Sequence, residues 1–208
     1  MKLHKCTEFN DFVFPDRLDI QLRHLMKQSS VFSPICFYGF PGCGKTSFAK
    51  FISDHKSNEV HYEDVNVIQD GKDNFGKFME RLKKGLISCS LFYENEPWRK
   101  VLILDEFHNL RSHQQDRFKV LFDDWNDYGI QIIICLNITT KKNINLVLSS
   151  ALRSRCECLN FSLFKKDYPE MISKVSAKFD LDEISIRKYL PDMRKIVRKT
   201  QLPEDFRC

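Results

Sequence analysis

The run Gly39-Phe40-Pro41-Gly42-Cys43-Gly44-Lys45-Thr46 satisfies the pattern G-x-x-x-x-G-K-S/T in full. Glycines let a backbone curl until successive N–H groups point at phosphate oxygens. The N-terminus of a following helix adds positive potential at the same place. A lysine at this spacing reaches the outer phosphates, and the next hydroxyl is offered to Mg²⁺. The pattern has this meaning only where a strand enters the loop and a helix leaves it. Ile35-Cys36-Phe37-Tyr38 reads as a buried strand and Thr46 to Ser53 as a helix, so both halves of that context are present. The candidate binding residues are Gly39, Pro41, Gly42, Cys43, Gly44, Lys45, Thr46 and Ser47. The competing reading is a glycine turn with a coincidental lysine.

Two further apolar runs end in polar side chains. Val101-Leu102-Ile103-Leu104 runs into Asp105 and Glu106. Ligands of open parallel sheets bind at the carboxyl edge of the strands. Asp105 is therefore placed to hold the water shell of Mg²⁺ together with Thr46, and Glu106 to orient or deprotonate an attacking water. Ile132-Ile133-Ile134-Cys135-Leu136 ends in Asn137, which could hydrogen-bond that water or the terminal phosphate. By itself Asn137 reads more simply as a turn residue before Thr139-Thr140. In Ala151-Leu152-Arg153-Ser154-Arg155-Cys156 two arginines lie beside a short strand. One could set a fixed positive charge on a neighbour's phosphate, or both could be salt-bridged surface residues.

The rest of the chain fits this frame. Arg17 to Gln28 has apolar residues at helical spacing, Val60 to Val65 alternates like a strand, and Asn74 to Phe92 and Gln114 to Tyr128 read as amphipathic helices. Leu159 and Phe161 suggest a last short strand. Apolar strands alternating with helices predict an α/β fold, a parallel five-stranded sheet flanked by helices. After about Ser162 the strands stop. Asp167–Phe179, Asp182–Leu190 and Pro191–Thr200 read as short helices. The expected division is an α/β nucleotide-binding domain over 1–162 and a small helical domain over 163–208.

Composition narrows the class. The chain has 208 residues, 42% hydrophobic and 29% charged, the balance of a globular protein long enough to bury a core without disulfides or metal staples. No apolar run reaches the length of a membrane span and no signal peptide opens the sequence. The expectation is an intracellular, non-secreted protein without a membrane partner. Cysteines stand at 6, 36, 43, 89, 135, 156, 158 and 208. Two lie inside strand-like runs, and the spacing Cys156-x-Cys158 is too close for a usual zinc pair. That usage suits a reducing compartment. The net charge is +5, and Arg187 to Lys199 holds six basic residues opposed by Asp192 alone. Such a cluster is either a solvated helix face or a patch for a polyanion.

With these motifs in order, the chain resembles the AAA+ ATPases. Within them it is similar to the small ATPase subunit of sliding-clamp loaders, the replication factor C type, above all that of tailed bacteriophages. Gly39–Thr46 stands as Walker A and Leu102–Glu106 as Walker B. Asn137 stands at the sensor-1 position, and Ser154-Arg155-Cys156 matches the S-R-C motif, whose arginine acts on the adjacent subunit's ATP. Pro191-Asp192-Met193-Arg194 resembles the start of the lid helix that carries the sensor-2 arginine. The resemblance implies Arg155 rather than Arg153 as the finger, Arg194 as a phosphate contact within its own subunit, and Phe12 and Val13 against adenine. It also implies ATP and Mg²⁺ as cofactors, catalysis by Glu106, Asn137 and Arg155, and hydrolysis in trans across subunit interfaces.

The implied work is opening a DNA sliding clamp and loading it on primer–template DNA, alongside other clamp-loader subunits. The cellular setting would be cytoplasm, nucleus or an infected host cell. Relatives usually continue into a helical collar, which this sequence does not include, and their E-K-Y-R-P type opening is missing. Arg111, Arg117 and Lys119 are candidate DNA contacts, equally readable as solvated charges. Three alternatives stay open: a helicase-loader or initiator-like AAA+ ATPase, a nucleotide-gated scaffold subunit that does not hydrolyse, and a P-loop kinase. The scaffold has no need for Glu106, Asn137 and Arg155 together, and the kinase has none for S-R-C.

Overall fold

Every apolar run identified above becomes a strand of one sheet. The computed structural model describes residues 6–28, 33–57, 59–68, 74–87, 98–127, 129–140 and 143–200. The strands are β1 (Ile35–Gly39), β2 (Glu59–Asp64), β3 (Lys100–Asp105), β4 (Ile130–Asn137) and β5 (Glu157–Asn160). Their order in the sheet is β2-β3-β4-β1-β5, and each neighbouring pair is parallel. β3 is buried along its length and β4 up to Asn137, which is why both read as continuous apolar runs.

Side chains alternate across the sheet and fill two cores. Phe37, Val101, Ile103, Ile133 and Cys135 face one side, with Leu18, Leu22 and Leu25 of α1 (Asp16–Lys27) and Phe48 and Ile52 of α2 (Lys45–Lys56). Cys36, Leu102, Leu104, Ile132, Ile134 and Leu136 face the other. There they meet α3 (Asn74–Ile87), α5 (Phe118–Asp127), which follows α4 (Ser112–Asp116), and the short α6 (Ile144–Val147) and α7 (Ser150–Arg153). Phe48 is the hub of the first core. The rings of Phe9, Phe12, Phe14, Phe37, Phe51 and Phe161 lie 5.4–6.1 Å from it. Truncating such a residue to alanine costs about 3–5 kcal/mol.

After β5 come α8 (Tyr168–Phe179), α9 (Glu183–Tyr189) and α10 (Met193–Thr200). Their Met171, Ile172, Val175, Ile186 and Ile196 join the same cluster as α1 and α2. Arg17 ties this region to the sheet by donating to the carbonyl oxygen of Asn160 at 3.1 Å and to Asp167 at 3.1 Å. Among the described residues no helix is long and apolar enough to cross a membrane.

The structure differs from the sequence reading in two places and describes only part of a third element. The helix expected over Gln114–Tyr128 is two helices. A tight turn, in which the Arg117 N–H donates to the Gln114 carbonyl at 3.2 Å, separates them. The helix expected over Asn74–Phe92 is seen as α3 to Ile87, and residues 88–92 lie outside the described residues. The short α6 and α7 were not anticipated. Each begins at a side-chain cap, Asn143 accepting the Asn145 N–H at 3.0 Å and Ser149 the Leu152 N–H at 3.4 Å. Those caps were the available signal.

Candidate active site

The carboxyl ends of β1, β3 and β4 bring the sequence candidates to one edge. The loop after β1 curls through Gly42 at φ 83° and Gly44 at φ 91°, the left-handed region that glycine enters without strain. Gly44 then caps α2. Lys45 begins that helix and is buried, with Nζ donating to the carbonyl oxygens of Gly39 at 3.0 Å and Phe40 at 2.8 Å. Burial holds its pKa below the usual lysine value.

Asp105 is the most heavily bonded carboxylate here. Its Oδ1 accepts the Thr46 hydroxyl at 3.1 Å and the Glu106 N–H at 2.9 Å. Its Oδ2 accepts the Tyr62 hydroxyl at 2.8 Å. Burial, and then the Asp105 carboxylate, push the Tyr62 phenol well above its ordinary value, so it stays a donor. The Lys50 ammonium sits 3.9 Å from the Tyr62 ring centre, close enough for a cation–π contact.

Glu106 turns the chain out of β3 at φ 54°. Its carboxylate accepts Asn137 Nδ2 at 3.0 and 3.2 Å. The Asn137 N–H points at His108 Nδ1, 3.3 Å away. That nitrogen is then the acceptor, which leaves the proton on Nε2, 3.5 Å from Glu106 Oε2. Burial and the neighbouring Asp105 and Asp64 carboxylates raise the Glu106 pKa. Lys45 and the Asn137 hydrogen bond oppose the rise.

These groups surround a cleft of about 120 Å³. It is lined by Pro41, Gly42, Gly44, Lys45, Thr46 and Ser47 of the loop, Glu106 and Asn137 of the sheet edge, and Arg194 of α10. Gly39 lies beneath as a lysine acceptor. Cys43 faces α10, its thiol donating to the Pro191 carbonyl at 3.8 Å. The donor set suits a polyphosphate with Mg²⁺: a buried ammonium, loop N–H groups, a hydroxyl and carboxylate in contact, and an arginine at the rim. Among the described residues no cluster of three or more His, Cys, Asp or Glu side chains is placed to hold a metal ion.

Other candidates lie outside the cleft. Phe12 packs against Phe14, Phe48 and Phe51, and Val13 borders the same cluster. Arg155 is half exposed, its Nε 3.0 Å from Asp123 of α5 and its guanidinium 3.0 Å from the Ala151 carbonyl. Arg153 pairs with Asn145. Arg117 lies 4.9 Å from the Phe75 ring centre, Lys119 pairs with Asp116 at 3.2 Å, and Arg111 is exposed. Sequence reasoning missed Tyr62, His108 and the contact of Asp192 with Gly42. The alternation of β2 announced a strand, but no local pattern gives its register against β3.

A profile for the ATPase family associated with various cellular activities (AAA) matches residues 35–165. The Holliday junction branch migration complex subunit RuvB of Mycoplasmopsis synoviae is 24% identical over 204 residues, covering 96% of this chain and 56% of that protein. The chain thus spans little more than half of that relative. The RuvB Holliday junction branch migration motor of Thermotoga maritima superposes with a TM-score of 0.61 at 21% identity, over 95% of this chain and 64% of that one. The replication initiator DnaA bound to AMPPCP and single-stranded DNA gives 0.62 at 21%, over 96% and 65%. These two likenesses establish the shared fold.

Proposed function

Because the chain belongs to the ATPase family associated with various cellular activities, we propose that it is a Mg²⁺-dependent ATP hydrolase working on DNA, whose subunits complete one another's sites. The observation that carries this reading is one cleft lined by Lys45, Thr46 and the Glu106–Asn137 pair, with Asp105 accepting the Thr46 hydroxyl. On this reading, the lid over the α/β domain is the helical region that follows β5, carried by α8–α10.

Each residue then has a task. The loop N–H groups and Lys45 hold the phosphates, and Lys45 exchanges carbonyl partners for phosphate oxygens. Thr46 and Asp105 would hold Mg²⁺, Asp105 through water. Held there, Mg²⁺ would supply positive charge against that of the phosphates. Glu106 orients the attacking water, and Asn137 fixes the carboxylate that does so. Arg194 touches phosphate from the lid. Arg155, outside its own cleft and half exposed, supplies charge to a neighbour's site.

The finer reading is the loading of a sliding clamp on primer–template DNA, and the Ser154-Arg155-Cys156 motif supports it. The second reading, an initiator-like or branch-migration ATPase, is supported by the RuvB relative that covers nearly the whole chain. The test is ATP hydrolysis against protein concentration, alone and with primer–template DNA, single strands or a four-way junction. A rate per molecule that climbs with concentration and DNA, and vanishes in Arg155→Ala, is the expected result. A concentration-independent rate unaffected by Arg155→Ala would refute catalysis in trans. Primer–template stimulation enhanced by a sliding clamp favours the first reading, and junction stimulation favours the second.

A further inference from the structure

The turn before α10 touches the phosphate loop with a group of the wrong charge for a phosphate site. A Cβ built on Gly42 would lie 2.0 Å from Asp192 Oδ1 and 2.6 Å from its carboxyl carbon. The carboxylate therefore rests on bare glycine backbone. Beside it, the Pro191 carbonyl accepts the Cys43 thiol, so two consecutive lid residues sit on two consecutive loop residues. Asp192 Oδ1 also accepts the Arg194 N–H at 3.1 Å and stands 3.5 Å from Arg194 Nε. The arginine that lines the cleft is thus held by a carboxylate seated on the loop. The cleft that remains, about 120 Å³, is well below the ~300 Å³ at the lower end of small-ligand pockets. Lifting the lid would enlarge it.

We propose that Asp192 is a positioning residue, a counter-ion latch that holds Arg194 and keeps the lid on Gly42 until a polyphosphate displaces it. The inference rests on the reading of this cleft as the nucleotide site. A phosphate arriving at the loop N–H groups repels the neighbouring carboxylate. It also offers Arg194 a better acceptor, since phosphate takes the planar guanidinium through two hydrogen bonds. Both effects unseat Asp192 and move Arg194 onto the anion. The lid thereby responds to the charge of what the loop holds, and a triphosphate drives it further than a diphosphate.

The bland role for Asp192 is capping α10. Asn caps as well as Asp, so Asp192→Asn keeps the cap and the shape and removes only the charge. The experiment is calorimetric titration of the wild type and Asp192→Asn with ATP, ADP and inorganic tripolyphosphate, in Mg²⁺ buffer, after matching their thermal unfolding. The latch requires Asp192→Asn to bind all three about three- to tenfold more tightly, the scale of removing one unit charge about 3–6 Å from another when water screens the pair. The gain is largest for the triphosphates and shrinks in an Arg194→Ala background. A cap alone cannot increase affinity. Unchanged or weaker binding by folded Asp192→Asn overturns the latch while leaving the cleft assignment intact, provided the wild type binds ATP and Lys45→Ala does not. A wild type that binds no ATP, or binds it regardless of Lys45, overturns both.

Discussion

Replacing Lys45 by methionine separates the fold from the ligand. Lys45→Met keeps the length and packing of a buried side chain and deletes its charge. Two carbonyls lose a donor, but they are not equivalent. The Gly39 carbonyl still accepts the Ile138 N–H at 3.1 Å. The Phe40 carbonyl loses the ammonium bound at 2.8 Å. One under-satisfied carbonyl costs about 1–3 kcal/mol. Against that stands relief of the desolvation that depresses the Lys45 pKa. The unliganded variant should therefore stay within about 2 kcal/mol of wild type, roughly 4–8 °C in Tm for a domain this size. The nucleotide-linked part behaves differently. Ligand at a hundred times Kd stabilises by about 2.7 kcal/mol, equivalent to about 5–11 °C. If Lys45→Met weakens binding by about a hundredfold, the same ligand concentration contributes only about 0.4 kcal/mol, roughly 1 °C. Thermal unfolding with and without Mg·ATP reads both quantities. A full ATP shift in Lys45→Met would refute the phosphate contact. An unliganded loss beyond about 10 °C would make Lys45 a structural residue first.

Tyr62→Phe keeps the ring beneath Lys50 and removes the hydroxyl from Asp105. The Mg²⁺ concentration for half-maximal nucleotide binding should rise about tenfold, while Mg²⁺-free binding stays the same, and an unchanged Mg²⁺ titration would dismiss the tyrosine. On the proposed role, Glu106 has to be ionised to orient water, and its pKa is raised, so activity should climb with pH along an acid limb above the usual glutamate range. Asn137→Ala removes a hydrogen bond that favours the carboxylate and should move that limb still higher; a limb that moves down refutes the pairing. Lys100 is buried, its Nζ donating to the Leu86 carbonyl at 3.0 Å and lying 3.3 Å from Glu59. Lys100→Ala should cost about 1–3 kcal/mol in denaturant unfolding, because it leaves the Leu86 carbonyl without its ammonium, and an unchanged stability would show that the site relaxes freely.

The cluster at the sheet edge, proposed above as the nucleotide site, was legible because its parts are local. The loop is one contiguous run, and Asp105 and Asn137 each end an apolar strand, so a parallel sheet brings them together without further information. Tyr62 was not legible. It reaches Asp105 only because β2 pairs with β3 in the register Tyr62↔Ile103, which depends on two distant strands. Asp192 is harder still, since its partner Gly42 lies far back in the chain and the contact is made by packing of α8–α10. The ion pair of Arg155 with Asp123 joins two elements that share no motif. Lys100 directly precedes the apolar run of β3 with no local sign of burial, and its ammonium is held by the Leu86 carbonyl at the end of α3.

The ring cluster around Phe48 has an entropic consequence. Phe48 lies on the first turn of α2, directly after the loop residues, and is wedged among rings from the N-terminal segment, β1, α2 itself and the chain after β5. Folding has therefore already restricted the start of this helix, and with it the amide groups that meet the ligand. Little ordering entropy is left for nucleotide binding to lose on that side. A cavity opened at Phe48 would loosen a cradle that is otherwise preformed, and its first symptom would be a weaker, more temperature-sensitive affinity with the chemical step intact once ATP is bound.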